Sequence, residues 1–132
     1  MELGYVIRVS VTGHAEKIAV LAQVPEETLC GLLETDVTER MRVPVMPEAF
    51  ENGGFVLCYY IDARGGEKAL PSNALGTCFY HTGCPIFGDL LLAACPPSHE
   101  DDRVSAFTEQ QADLLLDWLR TQFPAYVQPE LS

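Results

Sequence analysis

Basic residues are scarce in this chain, which has 8 lysines and arginines against 19 aspartates and glutamates and a net charge of −11. A surface of that charge repels the phosphates of nucleic acids and the head groups of anionic membranes. The scarcity therefore argues against direct nucleic-acid binding and against a membrane surface. It is compatible with a protein partner.

Long apolar runs and export signals are missing as well. No stretch approaches the roughly 18 apolar residues of a membrane span, and Glu2 stands where a signal peptide carries basic residues. The five cysteines are odd in number and contain no Cys-x-x-Cys pair, unlike a secreted disulfide framework. These absences predict a cytoplasmic protein, with cysteines such as Cys30, Cys58 and Cys95 acting as small buried hydrophobic residues.

What is present is typical of one globular domain over residues 1–132, with 48% hydrophobic and 20% charged residues. Alternating or continuous apolar patterns predict five strands, over 5–11, 17–24, 40–45, 55–61 and 86–94. Pro25, Glu26 and Glu27 predict a short helix over 25–34, after the first hairpin. Thr108 and Gln111 fit a capping box that opens an amphipathic C-terminal helix.

The sequence therefore predicts an α+β fold with a mainly antiparallel sheet of about five strands and the C-terminal helix packed on it. Pro44 indicates that the third strand lies at an edge of the sheet or that the strand ends there. The segment 70–85 reads as an irregular loop. The polar segment 98–107, with acidic residues at 100–102, reads as a flexible, exposed linker before the last helix.

Cys78, His81 and Cys84 form the most specific chemical pattern. Two thiolates and an imidazole at intervals of three residues are soft ligands for a zinc ion. The same residues admit a thiol nucleophile, Cys84 or Cys78, activated by His81 and oriented through Asp89. No glycine-rich phosphate loop or other cofactor motif accompanies them, so the sequence predicts no cofactor.

A second candidate site lies in the same segment. Leu70, Pro71, Asn73 and Tyr80 are the residues we expect beside a small-ligand pocket. A structural interpretation stands next to this one. Pro71 restricts the backbone, and an asparagine side chain can hold a turn by bonding nearby backbone groups.

The order of these features resembles a family of small bacterial and phage-associated domains of unknown function. Its members carry a Leu-Pro-x-Asn-Arg-Ala-Leu-like segment before an Ile-x-x-Gly strand; here the segment runs from Leu70 to Leu75 and Ile86-x-Gly88 follows it. The family's arginine is absent, since Ala74 directly follows Asn73. The resemblance implies a small accessory protein of a bacterium or mobile element.

Three functions stay open on this basis. The leading hypothesis is a non-enzymatic accessory or interaction protein, monomeric or homodimeric, that acts on a protein partner through its acidic surface or through the edge strand at 40–45. The alternatives are a metal-binding or thiol enzyme centred on Cys78, His81 and Cys84, and a small-ligand binding domain that uses the 70–85 segment.

Overall fold

The computed structural model describes residues 2–51, 53–80, 84–97 and 102–129. Its strands are β1 (Leu3–Val9), β2 (Ala15–Leu21), β3 (Thr38–Arg42), β4 (Val56–Asp62) and β5 (Leu90–Cys95). Its α-helices are α1 (Glu26–Leu33), α2 (Ala74–Tyr80) and α3 (Glu109–Gln122), and a short 3₁₀ helix spans Glu48–Phe50. The predicted α+β fold is confirmed.

The five strands form one sheet in the order β2-β1-β5-β4-β3, and every neighbouring pair is antiparallel. Two hairpins, β1–β2 and β3–β4, flank the central strand β5. Ile7 lies opposite Leu92 on one side of β5, and Tyr59 lies opposite Leu92 on the other. The strand predicted to lie at an edge, β3, does so.

Both faces of the sheet are covered, because β4 and β5 are apolar on each side. One face, which we call the α3 face, carries Leu57, Tyr59 and Leu92 and packs under α2 and α3. The opposite face, the α1 face, carries Cys58, Tyr60, Leu91 and Cys95 and packs under α1. Near-continuous apolar runs are what a strand buried on two sides requires.

The ends of α1 and α3 follow the capping chemistry of their sequences. Thr108 accepts the N–H of Gln111 and the Gln111 side chain accepts the N–H of Thr108, so the predicted capping box opens α3. Pro25 is the N-cap of α1 rather than its first helical residue, and Glu26 lies in the first turn. The apolar stripe of α3, which includes Leu115 and Leu119, is fully buried.

The prediction of an exposed linker over 98–107 is wrong for its last part. Val104 and Phe107 are 6% and 1% exposed, and they enter the cores on the α1 face and the α3 face respectively. Ser105 exchanges backbone hydrogen bonds with Ala94, and Phe107 does so with Tyr5. The two apolar side chains outweigh the polar composition that suggested a linker. Residues 98–101 lie outside the described residues.

The predicted irregular segment 70–85 contains α2, which the sequence did not predict. Leu75 and Phe79, one turn apart, are buried on the α3 face. Among the residues that the structure describes, no helix has the length and apolar character needed to cross a membrane.

Candidate functional site

Asn73 lies at the start of α2 and is 1% exposed. Its Nδ2 donates to the carbonyls of Val9 at 3.1 Å and Gly88 at 3.0 Å, and its Oδ1 accepts the N–H of Gly76 at 3.1 Å. One side chain therefore caps a helix and ties it to the end of β1 and to the start of the β5 region. These contacts support the structural interpretation of Asn73.

Among the described residues, the other predicted ligand-binding residues line two different depressions. Leu70 and Pro71 line a depression of about 270 Å³ near the C-terminal end of α1. Tyr80, 37% exposed, lines a separate depression of about 200 Å³ beside β3 and β4. Asn73, buried and fully engaged, lines neither depression. The structure thus distributes the four residues rather than bringing them together.

A buried carboxylate, Asp62, lies between these two depressions and lines both. It accepts hydrogen bonds from Lys68 Nζ at 2.7 Å, from Thr35 Oγ1 at 2.7 Å and from the N–H of Arg64 at 2.9 Å. Burial by itself raises the pKa of this carboxyl, but these bonds outweigh it and the pKa is lowered. Lys68 also donates to the carbonyl of Glu34 at the end of α1, so the network has a structural role.

The predicted metal and thiol site is described only in part. Cys78 is half-buried on α2 and Cys84 is exposed, while His81 lies outside the described residues. Within the described ranges, no three His, Cys, Asp or Glu side chains lie close enough to hold a metal ion together. The trio of Cys78, His81 and Cys84 stays a prediction.

Comparison with protein-family models, with curated proteins and with solved structures finds no match to this chain. The resemblance in the Leu70 to Gly88 region is therefore carried by its motif alone. What the chain does has to be argued from its own surfaces and side chains.

The edge of β3 is a candidate binding feature. Val43 donates its N–H to the carbonyl of Leu57, and residues 37, 39, 41 and 43 are the ones whose backbone groups face β4. In an antiparallel pair these positions alternate, so the N–H and C=O of Thr38 and Arg42 point away from β4. No backbone hydrogen bond joins Thr38 or Arg42 to another described segment on that side.

Side chains around this edge are of mixed character. Val37 and Val45, just before and after the strand, are 38% and 50% exposed. Arg40 and Arg42 lie opposite Tyr60 and Cys58, which places both arginines on the α1 face. The edge thus offers backbone groups, bordering apolar side chains and local positive charge in an otherwise acidic protein.

The exposed carboxylates do not form one face. Glu26 and Glu27 lie on α1, and Asp113 and Asp117 lie on α3, on the opposite side of the sheet. Several other acids are paired nearby, as Glu16 is with Arg8. Exposed acids therefore lie on both sides of the sheet rather than in one acidic patch.

One cluster of side chains on the α1 face was not predicted from the sequence. Cys58 on β4 and Cys95 on β5 are 4% and 1% exposed and lie on the same face of the sheet, in the same core cluster. Tyr60 Oη lies 2.9 Å from Cys95 Sγ, and Arg40 lies opposite Tyr60 on the neighbouring strand β3. The two cysteines are 37 residues apart in the chain, and only the β4–β5 register brings them together.

Proposed function

We propose that this chain is a non-enzymatic accessory protein that binds an extended segment of a protein partner along the open edge of β3. The observation that carries the proposal is the outward direction of the backbone groups of Thr38 and Arg42. An added strand bonds such groups directly, and this mode of peptide recognition recurs in many binding domains. The exposed side chains of Val37 and Val45 border the strand that would be added.

The charges on β3 favour pairing of this edge with a strand of another protein rather than with β3 of a second copy. Two copies joined by antiparallel β3 strands would be related by a two-fold axis perpendicular to the sheet, so residues of the same face would meet. In registers centred on Arg40 or Met41, Arg40 lies opposite Arg40 or Arg42. In the register centred on Glu39, two carboxylates meet. Like charges directly opposite each other destabilise strand pairing, and edge strands commonly use charge in this way against self-association.

The overall acidity adds a preference of its own. A net charge of −11 repels acidic surfaces and accelerates encounters with basic ones. The favoured partner is therefore a protein with a basic surface that presents an extended segment. The family resemblance supports a bacterial or mobile-element context for this accessory role.

The test is Arg42→Pro, compared with Arg42→Gln. Proline removes the outward N–H and leaves the hydrogen bonds to β4 in place, because Arg42 does not donate to β4. Met41, the preceding residue, already has the extended conformation that proline requires. Glutamine removes the charge but keeps the N–H.

The measurement is affinity capture from extracts of the source cells with the three proteins, after their thermal unfolding has shown that each is folded. We expect a partner that the wild type and Arg42→Gln retain and Arg42→Pro loses. Equal capture by Arg42→Pro would show that the partner binds elsewhere and would overturn the proposal.

A further inference from the structure

A surface cavity of about 400 Å³ borders β3 on the α1 face of the sheet. Thr38 and Arg40 line it from β3, and Glu26 and Leu29 line it from α1. The side chains of Thr38 and Arg40 share this face, because Arg40 lies opposite Tyr60 and Tyr60 belongs to the core beneath α1. The cavity is therefore a groove between a helix and the edge strand that the proposed function uses.

The floor of this groove is apolar. Four of the side chains that line it are no more than 6% exposed: Val24, Leu29, Tyr60 and Val104. The formal charges around it cancel, since Glu26 and Asp102 are matched in number by Arg40 and Arg103. An apolar cavity of about 150 Å³ already holds a benzene molecule, so a groove of this size and composition suits a large apolar side chain.

A strand added to β3 brings side chains to this groove. Residues directly opposite each other on neighbouring antiparallel strands project from the same face, with Cβ atoms about 4.5–5.5 Å apart. The partner residues opposite Thr38 and Arg40 therefore have their side chains on the α1 face. Aromatic and other long side chains also reach diagonal neighbours about 7–8 Å away, so a side chain of this size extends from the edge into the groove.

Two of the lining residues favour an aromatic ring over an aliphatic side chain. Aromatic rings attract each other in offset and edge-to-face contacts, and Tyr60 supplies one ring. Guanidinium groups stack on aromatic faces, and Arg40 supplies one guanidinium. We propose that the groove between α1 and β3 is the specificity pocket of this edge and takes an aromatic side chain of the partner's extended segment. This inference rests on the proposed function: main-chain pairing supplies affinity and the pocket supplies selectivity.

The test begins with a phage-displayed library of random linear peptides, selected on the full chain. We expect the selected peptides to share one aromatic residue within a segment of strand-forming residues. A synthetic peptide of that sequence is then compared by fluorescence anisotropy with two variants, which carry alanine or leucine at the aromatic position. Alanine should weaken binding by about 30-fold, the size of an interface hot spot, and leucine by about 2–10-fold.

A variant of the protein, Thr38→Trp, fills the groove and leaves the backbone groups of β3 in place. Tryptophan is a good strand former, and at position 38 its indole occupies the space of the partner's ring. This variant should still bind the peptides but lose most of the preference for the aromatic peptide over the alanine peptide. Glu39→Trp is the matched control and should keep the preference, because residue 39 lies opposite Ile61 on the α3 face.

Arg42→Pro separates a failure of the edge from a failure of the groove, because it removes an outward N–H and Arg42 does not line the groove. Selected peptides that bind Arg42→Pro as tightly as the wild type, or a library that yields no binder, would overturn the edge function and the pocket with it. Binding that Arg42→Pro abolishes, combined with a loss of less than about fivefold for the alanine peptide, would overturn the pocket alone.

Should Thr38→Trp fail to fold, NMR spectroscopy of the wild-type complex decides. The ring protons of the peptide should show nuclear Overhauser contacts to the methyl groups of Val24, Leu29 and Val104, which line the groove. Contacts to methyl groups elsewhere in the protein, with none to these three residues, would refute the assignment of the pocket.

Discussion

Replacing Asn73 by alanine removes three hydrogen bonds from the interior of the fold. The carbonyls of Val9 and Gly88 and the N–H of Gly76 each lose a partner that lies 3.0–3.1 Å away. Because Asn73 is 1% exposed, water does not readily take its place. A buried backbone group left without a partner costs roughly 1–3 kcal/mol, and single substitutions rarely cost more than about 4–5 kcal/mol because the structure relaxes around them. We therefore expect Asn73→Ala to lower the free energy of unfolding by about 3–5 kcal/mol.

That loss is large against a typical total of about 5–15 kcal/mol. Urea unfolding followed by Trp118 fluorescence and far-ultraviolet circular dichroism measures it. With a slope near 2 kcal/mol per molar urea, the midpoint should fall by about 2 M at an unchanged slope. Ser72→Ala, at the exposed neighbouring position, should stay within about 0.5 kcal/mol of the wild type.

The substitution Asn73→Asp tests the donor role of the Asn73 side chain separately from its acceptor role. Aspartate keeps an oxygen for the N–H of Gly76 but has no donor for Val9 and Gly88, and it sets a carboxylate against their carbonyls. We expect a loss at neutral pH at least as large as that of Asn73→Ala. A loss below about 1 kcal/mol in either variant, the net value of one ordinary hydrogen bond, would refute the structural role and return Asn73 to the candidates for ligand binding.

Two further predictions concern charge and packing. The pKa of Asp62 is lowered in the folded state. Its ionised form therefore stabilises the protein above the unfolded pKa of about 3.9, and this stabilisation is lost as the pH falls below that value. The melting temperature of Asp62→Asn should lie furthest below that of the wild type at neutral pH and approach it below pH ~4, whereas a difference that stays constant with pH would contradict this prediction. A Cβ atom added to Gly76 would lie 2.8 Å from Ile86 Cγ2, whereas one added to Gly31 would meet nothing within 4 Å. Urea unfolding should therefore show that Gly76→Ala destabilises the protein by about 1–3 kcal/mol and that Gly31→Ala stabilises it by about 0.5–1 kcal/mol. Equal effects of the two substitutions would refute the packing argument.

The elements that could be predicted from the sequence are those whose signals are local. The capping box at Thr108 and the helical apolar spacing after it place α3 well, and two apolar runs reveal β4 and β5. Strand ends are less well predicted: β1 spans Leu3–Val9 where alternation indicated 5–11. Beyond Val9 the same alternation continues into a turn, where the N–H of Val11 bonds Asp89 instead of a strand neighbour.

The parts that could not be predicted depend on contacts between distant residues. Helix α2 is short and contains Gly76 and Thr77, which are weak helix formers; burial of Leu75 and Phe79 and the cap from Asn73 stabilise it. An asparagine directly before apolar residues at positions i+2 and i+6 is the signal that could have revealed this helix.

The candidate sites divide in the same way. The proline at position 44 indicated an edge strand or a strand end, and β3 lies at the edge of the sheet and ends at Arg42, two residues before it. The structure adds the direction of each backbone group of the strand. The thiol pair was not predictable, because Cys58 and Cys95 meet only through the register of β4 and β5. A shift of that register by one residue would move one cysteine to the opposite face.

The strand order has a consequence for how the chain folds. The central strand, β5, is the last of the five along the chain, and it joins the β1–β2 hairpin to the β3–β4 hairpin. During synthesis both hairpins precede it, each with an unsatisfied inner edge where β5 will later insert. Pairing of Ile7 with Leu92 closes a long loop, which slows folding relative to local contacts. Until residues 90–95 have left the ribosome, the edges of β1 and β4 that will pair with β5 are both exposed. Each of these unpaired edges can bond another strand in place of β5, so the nascent chain is most prone to aggregation during this interval.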